Sequence, residues 1–199
     1  MREKEDQLTQ QSADALVEAE IIATNIGAPE VLNSTVHLAN YDPTWPSIFT
    51  QLEQKIRDAL GNKFILLEHV GSTSVPGLSA KPIIDMVLAV SDSFDESAYI
   101  PQLETLGYVL KIREPDWYEH RVLKREDPKV NLHVFSAGCE EIKRMTAFRD
   151  WLRSHPEDLK LYETTKHELS RQTWKYIQNY ANAKSAVVQE IMSRAYSQS

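Results

Sequence analysis

The chain has 199 residues, 22 of them Lys or Arg and 29 Asp or Glu, for a formal charge of −7, with 42% hydrophobic and 26% charged residues. These values describe an ordinary globular protein of one generous domain, or one domain with an appended arm, long enough to bury a core without staples. The acidic balance argues against bulk nucleic-acid binding, which needs a surplus of Lys and Arg, and the single cysteine, Cys139, cannot form an internal disulfide.

The first thirty residues carry Glu3, Glu5, Asp6, Asp14, Glu18 and Glu20, too many acids for a transit peptide, and they lack the basic-then-apolar order of a signal peptide. A cytoplasmic protein is therefore expected. Leu8, Ala15, Leu16, Ala19, Ile22 and Ala23 recur at loosely helical spacing, so residues 1–33 are expected to form a helical arm and 34–199 the main domain. After the turn-rich Asn40–Pro46, the stripe Ile48, Phe49, Leu52, Ile56 and Leu60 predicts a helix from about Pro46 to Gly61. Phe64–Val70 is a short apolar run suited to a buried strand, and a second such run is Ile83–Val90. That run is too short to span a bilayer, and Asp85 interrupts it. A helix around Ser97–Leu106 closes at Gly107, and three further strands are predicted at Tyr108–Arg113, Trp117–Lys124 and Val130–Phe135. From Cys139 onward the pattern is helical, with breaks predicted at Ser154-His155-Pro156 and near Asn179–Asn182. The order of elements predicts an α+β fold in which one mixed sheet is covered by helices, with a helical C-terminal part.

The chemistry concentrates between the first two strands. Gly71, Ser72, Thr73 and Ser74 leave a strand directly, so that backbone N–H groups and hydroxyls can converge on a phosphate, with Lys81 at the far end of the loop to add charge. Asp85, inside an apolar strand, needs a partner: a basic side chain, or a divalent cation with oxygen ligands such as Mg²⁺. His133 lies between Leu132 and Val134 and shares a strand face with Asn131 and Phe135. Glu68 and His69 point oppositely, so at most one of them can face the loop. Arg121 and Arg149 are candidates for phosphate contacts, whereas Lys124 reads as a solvated strand edge. Lys166 and Lys184 are each more typical of surface lysines, with Lys184 the better guess for reaching a ligand.

Gly71-Ser72, twelve residues and then Asp85 resembles the signature of the nucleotidyltransferase superfamily. The longer string from Glu68 to Asp85 is similar to the hallmark of the GrpB family, and the likeness continues in Tyr41–Pro46, Asn131–Phe135, Phe148–Arg153 and Tyr180–Lys184, covering roughly Thr35 to Ala195. The resemblance implies a nucleotidyltransferase-like fold that moves a nucleotidyl group from an NTP to a small-molecule acceptor. Asp85 and His133 would serve as catalytic and Mg²⁺-binding residues, and Gly71, Ser72, Thr73, Ser74, Lys81, Arg121, Arg149 and Lys184 would hold phosphates. The strand reads Asp85-Met86-Val87, however, where the superfamily has a second carboxylate, and His133 stands where it has a third. Two alternatives follow: an anion-binding module without transfer, or a different reaction on a small carboxylate or phosphorylated metabolite.

Overall fold

The computed structural model describes residues 15–197. Five strands form the main sheet: β2 (Phe64–Val70), β3 (Ile84–Val90), β4 (Val109–Glu114), β5 (His120–Glu126) and β6 (Lys129–Ser136), in the spatial order β2-β3-β6-β5-β4. Only β3 and β6 run parallel; the other neighbours are antiparallel. The fold is α+β, a mixed sheet covered by helices and followed by a helical C-terminal part.

Alternation along β3 decides the two faces. Ile84, Met86, Leu88 and Val90 point into the larger core with Leu132 and Val134 of β6, beneath α2 (Trp45–Leu60) and α3 (Ile100–Glu104). Pro at the start of α2 suits its first turn. At its end Gly61, with a positive φ, donates its N–H to Arg57 O. The stripe read from sequence buries Leu52, Ile56 and Leu60, each contributing about 1.5–3 kcal/mol on removal from water. On the opposite face Val87, Ala89 and Phe135 pack with Val70 and with Ile142 of α4 (Glu140–Ser154), leaving the polar ends of the strands facing a cavity.

The remaining helices are α5 (Pro156–Ser170), α6 (Ile177–Ala183) and α7 (Ser185–Ser197). The predicted break at Ser154-His155-Pro156 falls between α4 and α5. That near Asn179–Asn182 lies instead inside α6, which runs to Ala183 and is capped by Lys184. A short strand, β7 (Trp174–Tyr176), precedes α6 because β1 (Val31–Ser34) pairs with it, a tertiary requirement that local pattern does not report. The helix predicted over Ser97–Leu106 is shorter, a 3₁₀ turn at Glu96–Ala98 followed by α3. The strand predicted from Trp117 begins only at His120, since a turn at positive φ (Tyr118, Glu119) comes first.

Residues 1–14 of the expected arm lie outside the described residues. Residues 15–24 are helical (α1), with Ile21 buried, and Ile26 N donates to Lys111 O of β4 at 2.8 Å. No helix among the described residues is long and apolar enough to cross a membrane.

Candidate functional site: a lysine-lined cavity

Asp85 opens the polar face of the sheet. Its register partner on β6 is Asn131, whose Nδ2 donates to Asp85 Oδ1 at 2.8 Å. Gly71 sits against it at a φ of +68°, where a Cβ would lie 2.5 Å from Asp85 Oδ2 and 2.8 Å from Asp85 Cβ. Only glycine meets both demands, a left-handed backbone and an approach closer than any side chain permits. The rest of the loop is clamped from the helical layer. Arg153 Nη2 donates to Ser74 O at 2.8 Å, and Glu163 Oε1 accepts from Ser79 N at 3.0 Å and Ser79 Oγ at 2.8 Å.

Asp85 and this loop line a cavity of about 610 Å³. Three lysines converge on it from different elements: Lys81 from the loop, Lys166 from α5, and Lys184 from the junction of α6 and α7. Lys166 is only 2% exposed, and its Nζ donates to Ser72 Oγ at 2.8 Å and Ser79 O at 2.5 Å. Lys184 and Lys81 both lie over the buried Tyr180 ring, their Nζ atoms 4.7 and 6.0 Å from its centroid. Burial is the main cause that pulls Lys166 down to about 7, with repulsion from Lys184 adding and Glu163 and Asp85 opposing. Lys81 falls to about 8, again chiefly through burial, with Asp85 opposing and Lys184 and Lys124 adding repulsion. Lys184 is lowered by burial against the pull of Asp85. Lys124 of β5 completes the basic wall. Among the described residues none of Lys81, Lys166 and Lys184 forms a salt bridge; Asp85 attracts all three across the cavity, with Glu163 adding at Lys166 and Glu30 at Lys81. Such a cavity matches a multiply charged anion, which restores the interactions that burial removed.

A second polar cluster lies farther along the same floor. His120 Nδ1 is 2.6 Å from Glu114 Oε2, and His120 Nε2 is 3.0 Å from His133 Nδ1. The His120 ring stacks on Phe135 at 4.4 Å, and Trp117 packs edge-on against it. With Glu114 as a carboxylate accepting the His120 Nδ1–H, His120 Nε2 becomes an acceptor. It takes the Nδ1–H of His133, which leaves His133 Nε2 with its lone pair. Burial first, and then His120, lowers His133 to about 4, so its ring is neutral at pH 7.

Of the residues expected from sequence, Gly71, Ser72, Thr73, Lys81, Asp85, His133 and Lys184 line this cavity; Ser74, Arg121 and Arg149 do not. Ser74 Oγ donates back to Gly71 O within its own turn. Arg121 alternates with the cavity-facing His120 and Val122, so it points to the other face, where its Nε meets Glu96 Oε1 at 2.6 Å. Arg149 is spent on Glu68 Oε2 and His69 O, at 2.7 and 2.8 Å, and on Asp150. Thr73 Oγ1 is tied to His69 Nε2 at 3.0 Å. Neither Glu68 nor His69 lines the cavity; His69 stacks on Phe49 in the opposite core, where burial above all lowers it to about 4. Two lysines correct the reading from sequence. Lys166 is buried rather than at the surface, because α5 lies directly over the loop, and Lys124 sits on a central strand, not an edge. Asn131, Glu114 and His120 were also not singled out. Their one sequence signal was the shared strand-face alternation with Asp85 and His133.

A protein-held Mg²⁺ asks for several hard oxygen donors in an octahedron. Asp85 Oδ1 is engaged by Asn131, His133 Nδ1 by His120, and the described residues contain no group of three or more His, Cys, Asp or Glu arranged to hold a metal. The surrounding ammonium groups add repulsion against a further cation. The donor set does not fit the ion that the superfamily resemblance implies.

The mixed sheet, its helical cover and the lysine-lined cavity between them define an α+β protein. The chain belongs to the GrpB family: the family model described as GrpB protein matches residues 35–194. It is 53% identical over 176 residues to a UPF0157 protein of Halalkalibacterium halodurans, covering 88% of this chain and 90% of that one. It is 41% identical over 170 residues to a UPF0157 protein of Streptomyces coelicolor, covering 85% and 88%. The crystal structure of the conserved protein GrpB from Enterococcus faecalis is similar with a TM-score of 0.71 and 29% identity, over 81% of this chain and 98% of that one.

Proposed function

We propose that the chain binds a nucleotide by its phosphate chain in the lysine-lined cavity and transfers the nucleotidyl group to a hydroxyl or amine of a small acceptor. The observation that carries this reading is the convergence of Lys81, Lys166 and Lys184 on the Gly71-Ser72 turn and Asp85. Ammonium groups at that turn would bind the phosphates and stabilise the charge that grows on the leaving pyrophosphate. The cavity is large enough for a nucleotide, and its aromatic end, Trp117 and Phe135, offers surface for a base or an apolar acceptor.

The acceptor oxygen or nitrogen attacks phosphorus, the bond to pyrophosphate breaks, and the acceptor proton passes to His133 Nε2. The charge gained by His133 is shared along its hydrogen bond to His120, which Glu114 faces at 2.6 Å. His133→Gln is expected to lower turnover by about 10²–10⁴-fold while nucleotide binding stays. Calorimetry with the four common NTPs, followed by pyrophosphate release in a pool of small hydroxyl and amine acceptors, tests the proposal. Absence of NTP binding overturns it. A nucleotide-binding module without transfer is the second reading, favoured by Asp85 standing without a second carboxylate on β3; binding with no pyrophosphate release would select it.

A further inference from the structure

Four lysines border this cavity, Lys81, Lys124, Lys166 and Lys184, and the carboxylate nearest the Gly71-Ser72 turn is Asp85. Two other acids on the cavity wall already have cationic or ring partners: Glu141 holds Arg144 at 2.6 Å, and Glu114 holds His120 at 2.6 Å. Glu20 and Glu30 reach the cavity from the arm, and Glu30 adds a weaker pull on Lys81 than Asp85 does. Lys166 spends two of its three N–H donors on Ser72 Oγ and Ser79 O, which fixes the ammonium in place and leaves one donor for a ligand. Lys81 and Lys184 both lie over the Tyr180 ring and form no salt bridge among the described residues.

This distribution inverts the usual order of a two-metal phosphoryl-transfer site, in which carboxylates hold cations and the cations hold phosphates. Here the fixed charges that would meet phosphate are positive already, and a divalent ion placed on Asp85 would enter a shell of ammonium groups. We infer that the lysines take the place of divalent cations: the cavity accepts the metal-free polyphosphate chain of its nucleotide, and Asp85 is the internal counter-ion that keeps the lysines assembled when no ligand is bound. The inference rests on the nucleotide reading above. It assigns Asp85 the opposite effect on affinity from that of a metal ligand. Burial strips all three lysines of solvation, and Asp85 is the acid whose attraction opposes it at all three, joined by Glu163 at Lys166 and by Glu30 at Lys81. A bound polyphosphate takes over that role, and Asp85 then repels it.

The test is isothermal titration of the full chain with ATP and with inorganic tripolyphosphate, each in EDTA and in excess Mg²⁺, for the wild type, Asp85→Asn and Lys166→Met. Both ligands are expected to bind in EDTA at least as tightly as in Mg²⁺. Asp85→Asn, which keeps the side-chain shape, is expected to tighten binding in EDTA by about tenfold, the scale of one unit charge acting at partial screening. Lys166→Met is expected to weaken it by about tenfold or more, the usual loss of a charge-assisted hydrogen bond. Binding that requires Mg²⁺, or that disappears in a folded Asp85→Asn, overturns the inference but keeps the nucleotide reading. Absence of binding by ATP and tripolyphosphate under both conditions overturns the two together. The wild-type comparison of EDTA with Mg²⁺ depends on no variant folding.

Discussion

Two sets of cations in this molecule obey opposite rules. Arg121 and Arg149 are buried or nearly so and saturated: Arg121 meets Glu96 and two backbone carbonyls, and Arg149 meets Glu68, Asp150 and the carbonyl of His69. Lys81, Lys166 and Lys184 are gathered where a folded chain gains least from them, beside one another and without salt bridges among the described residues. A buried charge left short of partners costs several kcal/mol unless something else supplies them. The arginines therefore stabilise the fold, and the lysines are held at a cost that the proposed polyphosphate ligand would recover. Pairing, not charge or burial, separates the cations spent on the fold from those that the proposed function would use.

The contrast breaks most severely at the loop that carries the lysine set. Gly71→Ala forces a side chain into left-handed backbone and against Asp85, so it is expected to cost more than about 2 kcal/mol in chemical unfolding and to abolish anion binding. Next comes Arg121→Met, expected to cost about 1–3 kcal/mol by stranding the Glu119 and His120 carbonyls, with anion affinity unchanged. A loss of affinity in that variant would erase the distinction. Lys166→Met should move the other way, with unfolding free energy at pH 7 equal to or above that of the wild type, since a desolvated charge is removed.

Smaller effects appear in pH dependence. Folding lowers Lys166 from 10.5 to about 7 and Lys81 from 10.5 to about 8, so between those limits the unfolded chain binds more protons than the folded one. Stability contributed by these lysines is therefore lost as pH falls toward 7 and regained as it rises toward 10.5, and the advantage of Lys166→Met over wild type should shrink across that window. A bound polyanion favours the charged ammonium groups, so titration near pH 8 should take up protons, with an apparent enthalpy that varies with the ionisation enthalpy of the buffer. Buffer-independent heats would remove the lysines from the site.

Much of the framework was legible from residue order alone. Apolar alternation in Phe64–Val70 and Ile83–Val90, the stripe of α2 and the glycine at its end are local properties, and the structure follows them closely. The same holds for the Gly71-Ser72 turn and Asp85, because a small-residue loop and an acid inside an apolar strand are anomalies that sequence displays. What was not legible is which distant side chains meet there. Arg121 and Lys124 stand three residues apart on one strand, yet one faces Glu96 and the other the cavity, since register and parity, not residue type, choose the face. Lys166 looked like a surface lysine because nothing nearby in sequence reveals that α5 crosses the loop.

The chain by itself thus determined a helix-covered mixed sheet, its likeness to the GrpB family and the position of one unusual carboxylate. Only the tertiary structure decided that this carboxylate is surrounded by lysines from three separate elements and that the expected arginines are spent on acids elsewhere. The physical reason is that backbone propensity and apolar periodicity act over a few residues, whereas electrostatic pairing depends on separations in space. Those separations between α5, the α6–α7 junction and the β2–β3 loop exist only once the core has closed.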